Sequence, residues 1–318
     1  MQISVLLCTH NPRADYLQRT LAALRAQTLP PTDWELIIVD NASAKPVAGE
    51  FDLSWHPRAR VVVETTLGLT PARQRAIREA AADLLVFVDD DNVLAPDYLC
   101  EAARLATAMP FLGAFGCSIR GIYEKPPADE VREWLWLLTV GEIKEARWSN
   151  LGVLGGEVLT LPSGAGLVVR TKVAREYERL VADDPLRLSL GRRGANLAGS
   201  EDRDLSATSS RLGLGTGKFP SLKLDHLMSA SRVDPGYLIR LAEASAYSET
   251  ILYFVHNLPW RTPPQSRTRR WQAAWERFRM TPFERTIRDA QRHGRERAIQ
   301  MIDSLPRPIG NPPAAAGR

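Results

Sequence analysis

The sequence predicts an α/β fold, a three-layer α/β/α sandwich on a mostly parallel mixed sheet. Short apolar runs rich in β-branched residues, Ile3–Cys8, Glu35–Val39 and Leu84–Val88, each end abruptly in polar residues, as buried strands do when their carboxyl ends open into a crevice. Between them lie stretches with apolar residues at helical spacing, and strand, helix, strand at this separation is a parallel βαβ unit. The third run ends in Asp89-Asp90-Asp91-Asn92, and ligands of such sheets bind at that end.

In chain order, Thr9-His10-Asn11-Pro12 turns the first strand into a helix, with Asn11 as the expected cap, Pro12 at its first position, and Leu17, Leu21 and Leu24 on its apolar face. Asp40-Asn41 closes the second strand, and Arg60–Glu64 is a third strand candidate. Thr70-Pro71 opens a helix over 72–82 whose Arg73 and Arg75 either face an anionic phosphate or lie solvated at the surface. Pro96 starts a helix through Met109, and Gly113–Ile119 reads as a strand. Glu130–Val140, with Trp134, Leu135, Trp136, Leu137 and Leu138, reads as a helix that is apolar on more than one side. The small-residue turn 161–166 leads into a strand at 167–170, and its glycines would allow close backbone approach. Ser200 caps a helix with Glu201, Asp202 and Asp204 in its first turn; Phe219–Leu224 is a strand followed by Asp225-His226; Tyr237–His256 is a long closing helix. Trp271, Trp275, Phe278, Ile287, Ile299 and Ile302 keep helical periodicity beyond it.

Three neighbouring carboxylates repel one another when ionised, so a positive partner is expected between them. Hard oxygen ligands on a loop suit Mg²⁺ or Mn²⁺ with positions left for diphosphate oxygens. Cys8, Cys100 and Cys117 are too far apart for a zinc motif or a disulfide framework and point to a reducing compartment. The start of the chain lacks a basic leader and no segment has the apolar length of a membrane span, so a cytoplasmic protein is expected. The net charge of +4 is uneven: residues 261–318 hold 13 arginines against 5 acids, leaving the first 260 residues net acidic, which removes overall basicity as an argument for nucleic acid.

With these pieces placed, residues 1–230 resemble the family 2 glycosyltransferases of the GT-A fold. The matching stretches, in family order, are Val5–Asn11, Leu24–Gln27, Leu36–Ser43, Gly68–Arg73, Phe87–Asn92 and Gly199–Asp202. The resemblance implies a GT-A catalytic domain over 1–230, with a nucleotide-sugar half at 1–120 and an acceptor half at 121–230, followed by a helical, Arg-rich extension at 231–318. It implies an inverting transfer from a UDP-sugar or other nucleotide-sugar to a saccharide or glycolipid hydroxyl, in polysaccharide or glycolipid synthesis. Thr9, Asp40, Arg73, Asp89 and Asp90 would bind the nucleotide-sugar, Asp91 the Mn²⁺ or Mg²⁺ ion, and Asp202 would be the general base. His226 would complete the metal site or serve a structural role. A sugar-phosphate nucleotidyltransferase is the rival enzyme, but Thr9-His10-Asn11-Pro12 stands where its Gly-rich basic loop would be. A scaffold protein without turnover is the third reading, set against by the presence of Asp91 and Asp202. The extension is expected as a solvated helical pair packed on the catalytic domain, with peripheral contact to an anionic membrane as the alternative.

Overall fold

The structure, a computed structural model, describes residues 1–150, 160–182, 184–194, 196–261 and 266–305. The strands are β1 (Ile3–Thr9), β2 (Trp34–Asn41), β3 (Ala59–Glu64), β4 (Leu84–Asp89), β5 (Asn92–Leu94), β6 (Leu112–Tyr123), β7 (Arg147–Ser149), β8 (Val168–Arg170) and β9 (Gly215–Met228). They form one mixed sheet in the order β3-β2-β1-β4-β8-β6-β9-β5, with β7 also paired to β9. The β3-β2-β1-β4 half is parallel, and β8 enters antiparallel to both β4 and β6.

The helices are α1 (Ala14–Arg25), α2 (Leu69–Glu79), α3 (Tyr98–Ala108), α4 (Asp129–Arg132), α5 (Thr171–Ala182), α6 (Pro185–Leu188), α7 (Glu201–Ala207), α8 (Pro235–Val255), α9 (Arg267–Arg279) and α10 (Pro282–Ser304). Alternation along the buried strands divides the core between the two faces of the sheet. Val5 and Leu7 of β1 meet Leu17, Leu21 and Leu24 of α1 and Leu99 of α3 on one face. Leu6 and Cys8 meet Ala72, Ala76 and Ile77 of α2 and Tyr177 of α5 on the other. The expected three layers follow. Parallel register sets Thr9 beside Asp40 and Cys8 beside Asp89, so the polar ends of β1, β2 and β4 form one rim.

Several boundaries differ from expectation for local reasons. Asn11 takes a left-handed backbone (φ 48°), which an asparagine tolerates, and its side-chain carbonyl accepts from Ala44 N at 2.8 Å. The first helix therefore starts only at Ala14, with Pro12 outside it. The 130–140 stretch is a single turn, α4, followed by a 3₁₀ turn at Leu135–Leu138 that ends at Thr139 (φ 60°). Val131, Trp134, Leu137 and Leu138 pack on Leu238, Leu241 and Ala242 of α8, while Trp136 is exposed. β9 runs through Asp225-His226 rather than ending before them, because β5 pairs with its far end at Asn92–His226.

Within the extension, α10 packs closely on α8. Gly294 of α10 sits so close to α8 that a Cβ there would meet the Glu243 carbonyl oxygen at 2.1 Å. Phe283 and Ile287 of α10 join the α8 cluster, and Ala298 packs with Ile251 and Leu252. The periodicity at 271–303 divides: Ile287 and Ile302 are buried, whereas Trp271, Trp275 and Phe278 are exposed on α9. Among the described residues, no helix is long and apolar enough to cross a membrane.

Candidate active site

A cleft of about 300 Å³ opens at the rim of the sheet and is lined by Thr9, Asn41, Arg73, Asp89, Asp90, Asp91, Arg192, Glu201, Asp202, His226 and Arg232, among others. Local bonds fasten the acidic turn that forms its floor. The Thr9 hydroxyl donates to Asp90 Oδ2, Thr20 of α1 donates to the Asp90 carbonyl at 3.1 Å, and the Asn92 amide donates to Asp91 Oδ1 at 2.9 Å.

The charges facing each aspartate differ. Asp91 is buried, with His226 Nε2 3.3 Å from Oδ1 and the Arg232 guanidinium 3.7 Å from Oδ2. Burial pushes its carboxyl up, but His226, Arg232 and Arg192 outweigh that and hold it below the ordinary range. Burial raises Asp90 to about 7, and the neighbouring Asp91 charge adds to the rise against the pull of the Thr9 hydroxyl.

The opposite wall is the first turn of α7. Arg73, buried in α2, donates to Glu201 Oε1 at 2.8 Å and reaches Asp89 Oδ1 at 3.4 Å, so one guanidinium joins the two acidic runs. Burial raises Glu201 to about 7 in spite of Arg73, and its Oε2 has no hydrogen-bond partner among the described residues. Asp202, half-buried, accepts from Gly164 N at 2.5 Å through Oδ2 and from Arg203 N at 2.7 Å through Oδ1. A Cβ on Gly164 would meet the Arg73 guanidinium at 2.4 Å. The glycine thus leaves room for an arginine to pass directly behind the backbone amide that orients Asp202. Asp204, fully buried, holds α7 in place by accepting from Arg187 of α6 and pairing with His256 Nε2 at 2.7 Å.

The structure thus brings Thr9, Arg73, Asp89, Asp90, Asp91, Asp202 and His226 into one cleft. Asp40 lies outside it: its two oxygens accept from Ser43 N at 3.2 Å and Val47 N at 2.9 Å and shape the loop after β2. Asn41 lines the cleft instead, its side chain bonded to Gly68 N and the Thr66 carbonyl. Arg75 pairs with Glu79 along the surface of α2. The Ser200 side chain makes no capping bond; of the acids that follow it, Asp202 accepts from the first-turn amide of Arg203. Sequence reasoning missed Gly164, Arg192 and Arg232. The small-residue turn pointed to close approach at Gly164, but nothing periodic marks the two arginines.

Among the described residues, no three His, Cys, Asp or Glu side chains form a metal group. Asp91 and His226 form a pair whose donor atoms, 3.3 Å apart, are near the ~3 Å that separates adjacent oxygen or nitrogen ligands on a small octahedral cation. Through Asp91 Oδ1 and His226 Nε2 the pair could hold a divalent ion with positions left for water and phosphate.

A second cavity, of about 730 Å³, adjoins the cleft and is lined by Trp136, Lys144, Arg147, Lys218 and Glu249, and by Gln291 and Arg295 of α10. Asp202 lines both.

Residues 4–159 match the model of Glycosyl transferase family 2. Curated relatives include the uncharacterized glycosyltransferase YwdF of Bacillus subtilis, 31% identical over 104 residues that cover 33% of this chain and 38% of that protein. Validoxylamine A glucosyltransferase of Streptomyces hygroscopicus subsp. limoneus is 32% identical over 147 residues, 41% of this chain and 32% of that one. Succinoglycan biosynthesis protein ExoW of Rhizobium meliloti is 30% identical over 111 residues, 33% of this chain and 34% of that one. The matched stretch spans about a third of the length of these relatives. Among solved structures, S. aureus TarS 1-349 aligns with a TM-score of 0.52 at 16% identity, covering 81% of this chain and 71% of that one. The same fragment in complex with UDP-GlcNAc gives a TM-score of 0.51 at 16% identity, covering 81% and 72%. That likeness is one of fold, and it agrees with the GT-A arrangement of the sheet. Over residues 4–159, just under half of its length, this chain is similar to the glycosyltransferase family 2 domain.

Proposed function

We propose that the protein is an inverting, metal-dependent glycosyltransferase that moves a sugar from a nucleotide-sugar, a UDP-sugar in the first instance, to a saccharide or glycolipid hydroxyl. The observation that carries this reading is the position of Asp202, which lines both the cleft of the acidic turn and the second cavity. A base for glycosyl transfer has to stand where donor and acceptor meet.

The donor occupies the first cleft, with its diphosphate toward Asp91, His226, Arg192 and Arg232 and its nucleoside along Thr9, Asn41, Asp89 and Asp90. A Mn²⁺ or Mg²⁺ ion held by Asp91 and His226 would offset the negative charge of the leaving diphosphate. Arg192 and Arg232 add fixed positive charge to that wall. The acceptor enters from the second cavity, whose exposed Trp136 offers a ring for a sugar face. Its hydroxyl oxygen bonds to the anomeric carbon as the bond from that carbon to the diphosphate oxygen breaks. The hydroxyl proton passes to the Asp202 carboxylate, which the Gly164 and Arg203 amides hold in place. Attack from the face opposite the leaving group inverts the anomeric centre. The complexes of TarS with UDP-GlcNAc and with UDP favour a uridine donor, and the succinoglycan biosynthesis protein ExoW favours a polysaccharide setting.

In the Asp202→Asn variant, sugar transfer is expected to fall ~10³-fold, while donor affinity in the presence of Mn²⁺ stays within about threefold by calorimetric titration. Turnover near that of the unaltered protein would overturn the assignment of the base.

A further inference from the structure

The feature that the reaction leaves unused is α9. Its three largest apolar side chains, Trp271, Trp275 and Phe278, are 78%, 63% and 77% exposed, and the Trp275 and Phe278 rings stack 6.1 Å apart. Positions i, i+4 and i+7 fall within about 60° of one another at 100° per residue, so the three rings form one continuous stripe. The helix spans Arg267–Arg279 and contains five arginines against the single acid Glu276. Arg279 lies about 80° to one side of the stripe and Arg277 about 120° to the other. Arg277 is tied in a two-bond pair to Asp289 of α10, at 2.8 and 2.7 Å, which turns the aromatic stripe away from the rest of the chain.

A solvated helix does not ordinarily present three adjacent large aromatics to water. Indole and phenyl rings flanked by guanidinium groups, on a helix of low mean hydropathy and net positive charge, match the boundary between headgroups and acyl chains of a bilayer with anionic lipid. The geometry points to α9 as a docking helix that lies in the plane of an anionic phospholipid surface, with Trp271, Trp275 and Phe278 inserted and Arg279 on a phosphate group. α10 follows α9 directly and supplies Gln291 and Arg295 to the second cavity, so docking would bring that cavity to the membrane and to hydroxyl acceptors carried on lipid.

The test is flotation of the full chain with vesicles of phosphatidylglycerol and phosphatidylcholine, or of phosphatidylcholine alone. The unaltered protein is expected to float with the anionic vesicles and at least tenfold less with the neutral ones. The W271A/W275A/F278A variant, which changes only exposed side chains and so keeps its melting temperature, is expected to lose at least tenfold in recovery. Absence of flotation of the unaltered protein, or equal flotation of the variant, would overturn the proposal. A concentration-dependent dimer that the same substitutions abolish, without flotation, would overturn it in favour of a second copy of the chain as the occupant. Donor binding, measured separately, does not depend on the outcome.

Discussion

Two acidic runs face the same cleft and use their carboxylates differently because different cations meet them. In Asp89-Asp90-Asp91 the third residue is opposed by His226 and Arg232, which hold it ionised although it is buried, while Asp90 is pushed up to about 7. In Glu201-Asp202 the first residue is occupied by Arg73, whereas Asp202 accepts, among the described residues, from the Gly164 and Arg203 backbone amides. An amide fixes the orientation of a carboxylate, whereas a guanidinium also meets its charge. Position beside another acid therefore says little about role. What stands opposite decides it.

The largest effect should come from breaking the first run. Asp91→Ala removes the carboxylate opposite His226 and Arg232 and is expected to lower turnover ~10³-fold and to weaken donor binding in Mn²⁺, in contrast with Asp202→Asn. Equal donor affinity in the two variants by titration would erase the distinction between the runs. Next comes the link between them. Arg73→Met leaves Glu201 buried without its cation, and about 3–5 kcal/mol of stability should be lost in a denaturation experiment. A loss below about 1 kcal/mol would show that Arg73 does not hold the two walls together.

The smallest effect sharpens the contrast through pH. Burial raises the Glu201 carboxyl from an ordinary 4.5 to about 7. Between those values the folded chain retains a proton that the unfolded chain has released, so this group's contribution to stability declines as the pH climbs. Glu201→Gln has no such proton. The unaltered protein should therefore lose about 1 kcal/mol or more relative to the variant between pH 5 and pH 7, read from the difference between their two stability curves. A constant difference across that range would mean that Arg73 keeps Glu201 ionised throughout.

Much of the fold and part of the site could be read from particular residues. The runs at Ile3–Cys8, Glu35–Val39 and Leu84–Val88 announce buried parallel strands, and the abrupt change to carboxylates after Val88 marks the rim. β5 and β7 were not legible, because, unlike the apolar run at β8, they carry no strand pattern of their own and exist through their pairing with β9. Asp40 was legible as the polar end of a strand, but its bonds from the Ser43 and Val47 amides, which order the loop after β2, were not. The 271–303 periodicity is a similar case. It predicts helices correctly, but apolar spacing alone does not distinguish Ile287, buried against α8, from Trp271, left in solvent.

By itself, then, the sequence determined the layered α/β class, the order of its elements, the acidic turn at the end of β4 and the later Glu-Asp pair, because local patterning controls which residues become strands and which face of a helix is apolar. Only the tertiary structure decided that Arg73 joins the two acidic runs, that Gly164 leaves room for it while its amide orients Asp202, that Arg192 and Arg232 enter the cleft, that α8 helps to wall it, and that α10 lines the adjoining cavity. The Arg73–Glu201 contact alone joins residues 128 positions apart, and no local pattern encodes a separation of that kind.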